Sequence, residues 1–148
     1  MMNYRRTILH IDDEVAITRF VARYFRDSRY ELTALNDATQ AMDVLRKTRP
    51  RLVLLDIDMP SVNGLDLLRE IKTEDGGIQV IMLTGLVSMQ TVLQALRWGA
   101  EACLFKPLID MQPLEEAVEH TFKKIDRWWG AIESLSREKH GRATTSVP

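Results

Sequence analysis

Leu52-Val53-Leu54-Leu55-Asp56-Ile57-Asp58-Met59-Pro60 is the stretch that decides how this chain folds. Its first four residues are apolar and unbroken, which suits a short strand buried on both faces, as in the middle of a parallel sheet. Pro60 has no N–H and a fixed φ, so strand pairing stops near it. Asp56 then stands at the carboxyl end of a central strand, where open α/β sheets place their ligand crevice. A carboxylate there serves as a nucleophile, a metal ligand or both. In isolation, Asp-x-Asp-x-Pro also suits an Asp that begins a turn.

Outward from this stretch, strands and helices alternate. Thr7 to Ile11 reads as a strand ending at Asp12-Asp13-Glu14. From Glu14 to about Arg26, Ile17, Phe20, Val21, Tyr24 and Phe25 recur at steps of three and four, a helical face that Asp13 could cap. Tyr30 to Leu35 is a weakly alternating strand. Asn36 or Asp37 caps a helix to about Lys47, with Ala38, Ala41, Met42 and Leu45 inward, and Arg49-Pro50 ends it. Gly64 marks a loop that needs a permissive backbone. Leu65 to about Thr73 is helical, Asp75-Gly76-Gly77 turns, and the strand from Gln79 to Leu83 delivers Thr84-Gly85. Ser88 caps a helix through Arg97, stopped by Gly99. Ala102 to Phe105 is a fifth strand ending at Lys106-Pro107, and a last helix starts near Gln112-Pro113, where Pro fits the first turn. Five alternations with short connections predict an α/β fold, a doubly wound five-stranded parallel sheet flanked by helices.

Composition is compatible with one domain of this kind. The chain has 148 residues, 45% of them hydrophobic, with a formal net charge of −1. No strong electrostatic pull toward nucleic acid or anionic membrane follows from that balance, and direct nucleic-acid binding is not expected. A single cysteine, Cys103, excludes an internal disulfide and a multi-cysteine metal site. Apolar runs such as Val80 to Leu83 fall far short of the roughly 20 residues a membrane span needs. The start, Met1 to Arg6, has no secretion-signal pattern. A cytoplasmic, membrane-free setting is the expectation.

In a parallel sheet the strand ends share one edge, so Asp12-Asp13, Asp56, Thr84 and Lys106 can converge from nearly a hundred positions. Each is commonplace alone; together, each at the end of a different strand, they define a constellation. Facing carboxylates repel, which raises at least one pKa unless a cation intervenes. An oxygen-only set suits Mg²⁺, with Ca²⁺ or Mn²⁺ as alternatives. A metal would lower the barrier to attack by Asp56 on a phosphoryl donor, and a lysine and a threonine could bind the phosphoryl oxygens.

These motifs, Asp12-Asp13, Leu54 to Pro60 with Gly64, Ile81-Met82-Leu83-Thr84-Gly85 and Lys106-Pro107, resemble in order and spacing those of the response-regulator receiver domains (CheY-like) of two-component signalling. The resemblance spans about residues 5 to 126 and implies a flavodoxin-like receiver fold. It implies that Asp56 accepts phosphate from a sensor histidine kinase or a histidine phosphotransfer protein. It implies Mg²⁺ ligation by Asp13 and Asp56, with Asp12 acting through water and Asp58 supplying its backbone carbonyl. Thr84 and Lys106 would bind the phosphoryl group and act as the switch. An added carboxylate at Asp58 is expected to firm metal binding, and Asp58 and Leu86 occupy the positions that tune dephosphorylation.

The chain departs from the family at Cys103, which stands where an aromatic switch residue is usual, three positions before the lysine. A buried thiol cannot swing a ring, so the usual threonine–aromatic coupling is not expected. His10, two positions before the acidic pair, reads as a satisfied interior histidine, with a ligand or base role as the alternative, and Trp98 as either an exposed partner-surface residue or a packed one.

The last helix of a receiver would end near residue 126, yet Leu114, Val118, Thr121, Ile125, Trp128, Ile132 and Leu135 continue at heptad spacing. Gly130 weakens the extension by about 1 kcal/mol. The expected organisation is a receiver at 1–126, a helical extension at 127–140 and a disordered polar tail at 141–148. The stripe including Ile125, Trp128, Trp129 and Ile132 serves either a homodimer or partner contact, or folds back on its own domain. No room follows for an output domain, so the chain reads as a stand-alone receiver or a piece of something larger.

Asp56-Ile57-Asp58 also resembles the first motif of haloacid-dehalogenase-type phosphatases, with Asp56 as nucleophile and Asp58 as general acid/base. That class carries the motif on its first strand, whereas here an acidic pair precedes it and Pro60 follows. The chain is therefore expected to be a phosphoacceptor signalling domain, not an enzyme turning over an external substrate. A phosphorylation-independent interaction module is the third possibility.

Overall fold

The structure is a computed structural model that describes residues 4–85 and 88–145, with side chains through 141. Thr7–Ile11 (β1), Glu31–Leu35 (β2), Leu52–Leu55 (β3), Gln79–Thr84 (β4) and Ala102–Phe105 (β5) form one parallel sheet in the order β2-β1-β3-β4-β5. Val15–Tyr24 (α1), Ala41–Thr48 (α2), Gly64–Glu74 (α3), Met89–Arg97 (α4) and Gln112–Thr145 (α5) follow the strands in turn. The doubly wound fold expected from the alternation is present.

All four side chains of β3 are fully buried, as an unbroken apolar run in a central strand requires. Val53 and Leu55 enter the core beneath α2, α3 and α4, where Leu45, Leu68 and Ile71 meet them. Leu52 and Leu54 enter the opposite core, with Val21 from α1 and Leu114, Val118 and Phe122 from α5. The chain steps from β1 out to β2 and then back across to β3. The strand order therefore reverses between β1 and β3, and the crevice belongs at their carboxyl ends.

Several local expectations change. Asp13 does not cap α1: Glu14 occupies the cap position, and its side chain makes no capping bond. On α1 the buried residues are Thr18 and Val21, with Phe25 buried at the C-cap, while Phe20 and Tyr24 are each 45% exposed. The helix covers its sheet along a narrow seam, and rings one notch around it stay outside. Asp37 caps a 3-10 turn at Ala38–Gln40 that leads into α2, whereas Asn36 turns to the β1 loop. Gly64 is the first residue of α3, not a loop residue needing a special φ. Its role is close approach, since a Cβ there would lie 2.0 Å from the Asp56 carbonyl oxygen. Leu86 lies outside the described residues.

α5 continues without a break through Gly130 and on to Thr145, so residues 141–145, expected in a disordered tail, are helical. Once a helix is nucleated, each added residue gains a hydrogen bond for little further ordering, and Arg137-Glu138-Lys139 are good helix formers. Where α5 passes the lower edge of the sheet it is braced. Tyr4 Oη donates to Asp126 (2.6 Å), and Arg51 lies between the Tyr4 and Trp129 rings at 5.6 and 5.7 Å. Burial and the neighbouring Asp126 carboxylate push the Tyr4 phenol upward.

Candidate functional site

The carboxyl ends of β1 and β3 deliver Asp12, Asp13 and Asp56 to one place, with a carboxylate oxygen of each within 4.8 Å of the others. Asp12 and Asp56 are buried and Asp13 is half-buried. Asn36 Nδ2 holds the β1 loop by donating to the Asp12 carbonyl and to Thr18 Oγ1, both at 2.9 Å. Asp12 Oδ1 accepts from the Glu14 N–H at 2.9 Å. On the other side, Gly64 N donates to the Ile57 carbonyl (2.9 Å), which draws the start of α3 under the Asp56 loop. Asn63 Oδ1 accepts from Leu65 N and caps that helix.

Lys106 arrives from the edge of the sheet. Its Nζ is 2.7 Å from Asp12 Oδ2, 3.3 Å from Asp56 Oδ2 and 3.4 Å from Glu14 Oε1. The closest of these contacts is an ion pair outside hydrogen-bond alignment, so Asp12 Oδ2 accepts no aligned hydrogen bond. Burial alone would lower the Lys106 pKa, but Asp12 and Asp56 outweigh it and the ammonium is held more firmly protonated than usual. Asp56 is raised, first by burial and then by the Asp12 charge, against the pull of Lys106. Burial, which penalises the charged form, is thus the main cause, and the neighbouring carboxylate adds to it.

Thr84 is buried at the end of β4, and its carbonyl accepts from Lys106 N at 3.0 Å. The pairing of Leu55 with Met82 puts Thr84 two residues further along, beside the Asp56 loop. Asp58 differs from the rest. Its carboxylate is exposed and outside the acidic group, while its N–H lies 3.4 Å from Asp56 Oδ1. A general acid/base at Asp58, as in the phosphatase resemblance, finds no support in that outward side chain.

The donor set fits a hard divalent cation. It is all oxygen, two of its three carboxylates (Asp12 and Asp56) are buried, and the Lys106 ammonium is shared between those two. When bound there, such a cation neutralises the carboxylates and polarises phosphoryl oxygens.

Other expected residues fall elsewhere. Cys103 is half-buried on β5 opposite Met82, packed against the core, and burial pushes its thiol up. Trp98 is packed rather than exposed. It closes α4 against the same core, with the Arg69 guanidinium 4.7 Å above its ring. His10 is fully buried, but among the described residues neither ring nitrogen has a hydrogen-bond partner, so it is not the satisfied histidine expected. Burial takes its pKa down to about 4. Ile125 packs on the α1–α5 core and Trp129 on Arg51, while Trp128 (66%), Ile132 (51%) and Leu135 (59%) are exposed. The heptad stripe is thus core in its first half and bare in its second.

Glu14 and Asn36 are the site residues that motif spacing did not single out. Glu14 follows the acidic pair directly at a helix start, where a short capping side chain is usual, and that mismatch was the available signal.

Comparison with known proteins agrees with this arrangement. The response regulator receiver domain family matches residues 8–119. The DNA-binding response regulator MtrA of Mycobacterium tuberculosis is 33% identical over 107 residues, 72% of this chain and 46% of that protein. The chain therefore spans about half the length of such relatives. Sporulation initiation phosphotransferase F of Bacillus subtilis is 31% identical over 119 residues, covering 80% of this chain and 94% of that one. A response regulator receiver domain protein from Clostridium thermocellum superimposes with a TM-score of 0.76 at 27% identity, covering 82% of this chain and 98% of the other. With a parallel sheet that gathers its acidic strand ends around one lysine, and a family match over most of its length, the chain belongs to the response regulator receiver domains.

Proposed function

We propose that the chain is the phosphoacceptor of a two-component phosphorelay, with Asp56 taking the phosphoryl group from a histidine kinase or histidine phosphotransfer protein. The observation that carries this is the placing of Lys106 Nζ 3.3 Å from Asp56 Oδ2 beside three carboxylates that fit a cation. An Asp56 oxygen forms the bond to phosphorus as the bond to the donor breaks, and the electron pair leaves with the donor. Lys106 follows the negative charge onto the phosphoryl oxygens, and Thr84 offers its hydroxyl from the next strand. Mg²⁺ is the cation the oxygen set favours; Asp13, Asp56 and the Asp58 backbone carbonyl would hold it, with Asp12 acting through water. The single free cysteine fits a reducing cytoplasm.

The output is a changed surface. With Cys103 in place of a ring, the change is carried through Thr84 and Lys106 themselves, without an aromatic partner at that position. The bare second half of the α5 stripe, Trp128, Ile132 and Leu135, is the surface for a homodimer through that helix. Incubation with a small phosphodonor and Mg²⁺, followed by intact mass, tests the core of this function. Addition of a single phosphoryl group to wild type and none to Asp56→Asn is expected. No addition, or addition that survives Asp56→Asn, would overturn it.

A further inference from the structure

Glu14 is drawn into the site from both ends. Its N–H is bonded to Asp12 Oδ1 at 2.9 Å, and its carboxylate reaches Lys106 Nζ at 3.4 Å. It holds the N-cap position of α1 without capping it, so its side chain is committed to the site rather than to the helix. The members of the cluster are graded in depth. The side chains of Asp12, Asp56 and Lys106 are 0%, 3% and 11% exposed, whereas that of Glu14 is 58% exposed and stands at the mouth.

We propose that Glu14 is a specificity-determining residue that selects phosphoryl donors by charge, an inference that rests on the phosphoacceptor function above. The metal-fitting group is Asp12, Asp13 and Asp56, and Glu14 is not part of it. A divalent cation and Lys106 together balance those three charges, and the charge of Glu14 is left over at the mouth. A donor must pass this carboxylate and displace it from Lys106 before the ammonium can turn to the phosphoryl oxygens. The exposed Asp58 carboxylate, two residues beyond Asp56, adds to the same field. Doubly charged free donors are therefore disfavoured relative to singly charged ones.

The test uses the full chain at saturating Mg²⁺ and low ionic strength, comparing wild type, Glu14→Gln and Glu14→Asp. The two donors are acetyl phosphate, a dianion at neutral pH, and phosphoramidate, a monoanion. In each case an Asp56 oxygen bonds phosphorus while the bond to acetate or to the protonated nitrogen breaks, releasing acetate or ammonia. For a unit charge about 7 Å away in water, Glu14→Gln should raise the second-order rate by about sevenfold with the dianion and about threefold with the monoanion. The gain should lie in the apparent KM and fade in high salt, and Glu14→Asp should keep the wild-type ratio between donors. Equal changes for both donors, no change, or an Asp variant that behaves like Gln would overturn the role of Glu14 while leaving the phosphoacceptor function intact. Failure of wild type to take up phosphate from either donor would overturn both.

Discussion

Lys106 Nζ and Asp56 Oδ2 lie 3.3 Å apart although 50 positions separate them in the chain. The pair stands at the ends of β5 and β3, with β4 between, and the lysine crosses that gap to reach the central carboxylate. In Lys106→Ala, Asp56 would lose a charge-assisted partner of about 1.5–3 kcal/mol, so phosphorylation by a small donor should slow about 10- to 100-fold. Intact-mass time courses would measure this.

Asp56 also sets a stability trade-off. Its folded pKa is raised, so the folded state holds its proton more tightly than the unfolded chain does. Stability without metal should therefore fall as pH rises from the ordinary carboxylate range through the raised value, and stay reduced at neutral pH. Asp56→Asn should melt higher than wild type in chelator at neutral pH, and Mg²⁺ should raise the melting temperature of wild type more than that of the variant. Thermal melts with and without Mg²⁺ check both.

His10 has the opposite sign. Neutral and unpartnered in the fold with a pKa of about 4, it takes up a proton near 6.5 when unfolded. Stability should fall by about 3 kcal/mol as pH drops from 6.5 to 4, because the unfolded state binds the extra proton. His10→Leu should flatten that slope in urea titrations run without divalent cation.

Gly64 lies against backbone. A Cβ there meets the Asp56 carbonyl oxygen at 2.0 Å and Ile57 Cα at 2.5 Å, neither of which can move like a side chain. Gly64→Ala should cost about 3 kcal/mol by overpacking, read as a lower urea midpoint, and should slow phosphorylation by displacing the Asp56 loop.

The α5 extension should make the chain a dimer. Trp128 and Ile132 are both more than half exposed, on the line that is core further up the same helix. Trp128→Glu/Ile132→Glu should give a monomer by light scattering after size exclusion, with the receiver fold unchanged by circular dichroism.

Local sequence chemistry determined the order of elements, because apolar runs, caps and turn residues act over a few positions. The run Leu52–Leu55, the Ser88 cap and Gly99 at φ +99° all stand where the residues put them. The convergence of Asp12, Asp13, Asp56 and Lys106 was legible too, since strand ends of a parallel sheet share an edge. Which side chain of a helical face is buried was less so. Phe20 and Val21 satisfy the same periodicity, and only the rotation at which α1 packs on its core separates the exposed ring from the buried valine.

Tertiary structure alone decided the rest, and the reason is distance in sequence. Trp98 could not be known to be packed until Arg69 was seen over its ring, nor Ile125 and Trp128 told apart until the first was seen against the core and the second outside it. The want of any partner for His10, and the reach of Glu14 to Lys106 across 92 positions, depend on atoms brought near only by folding. Residue type and spacing set what each segment could do; the packed sheet set which neighbours it would do it with.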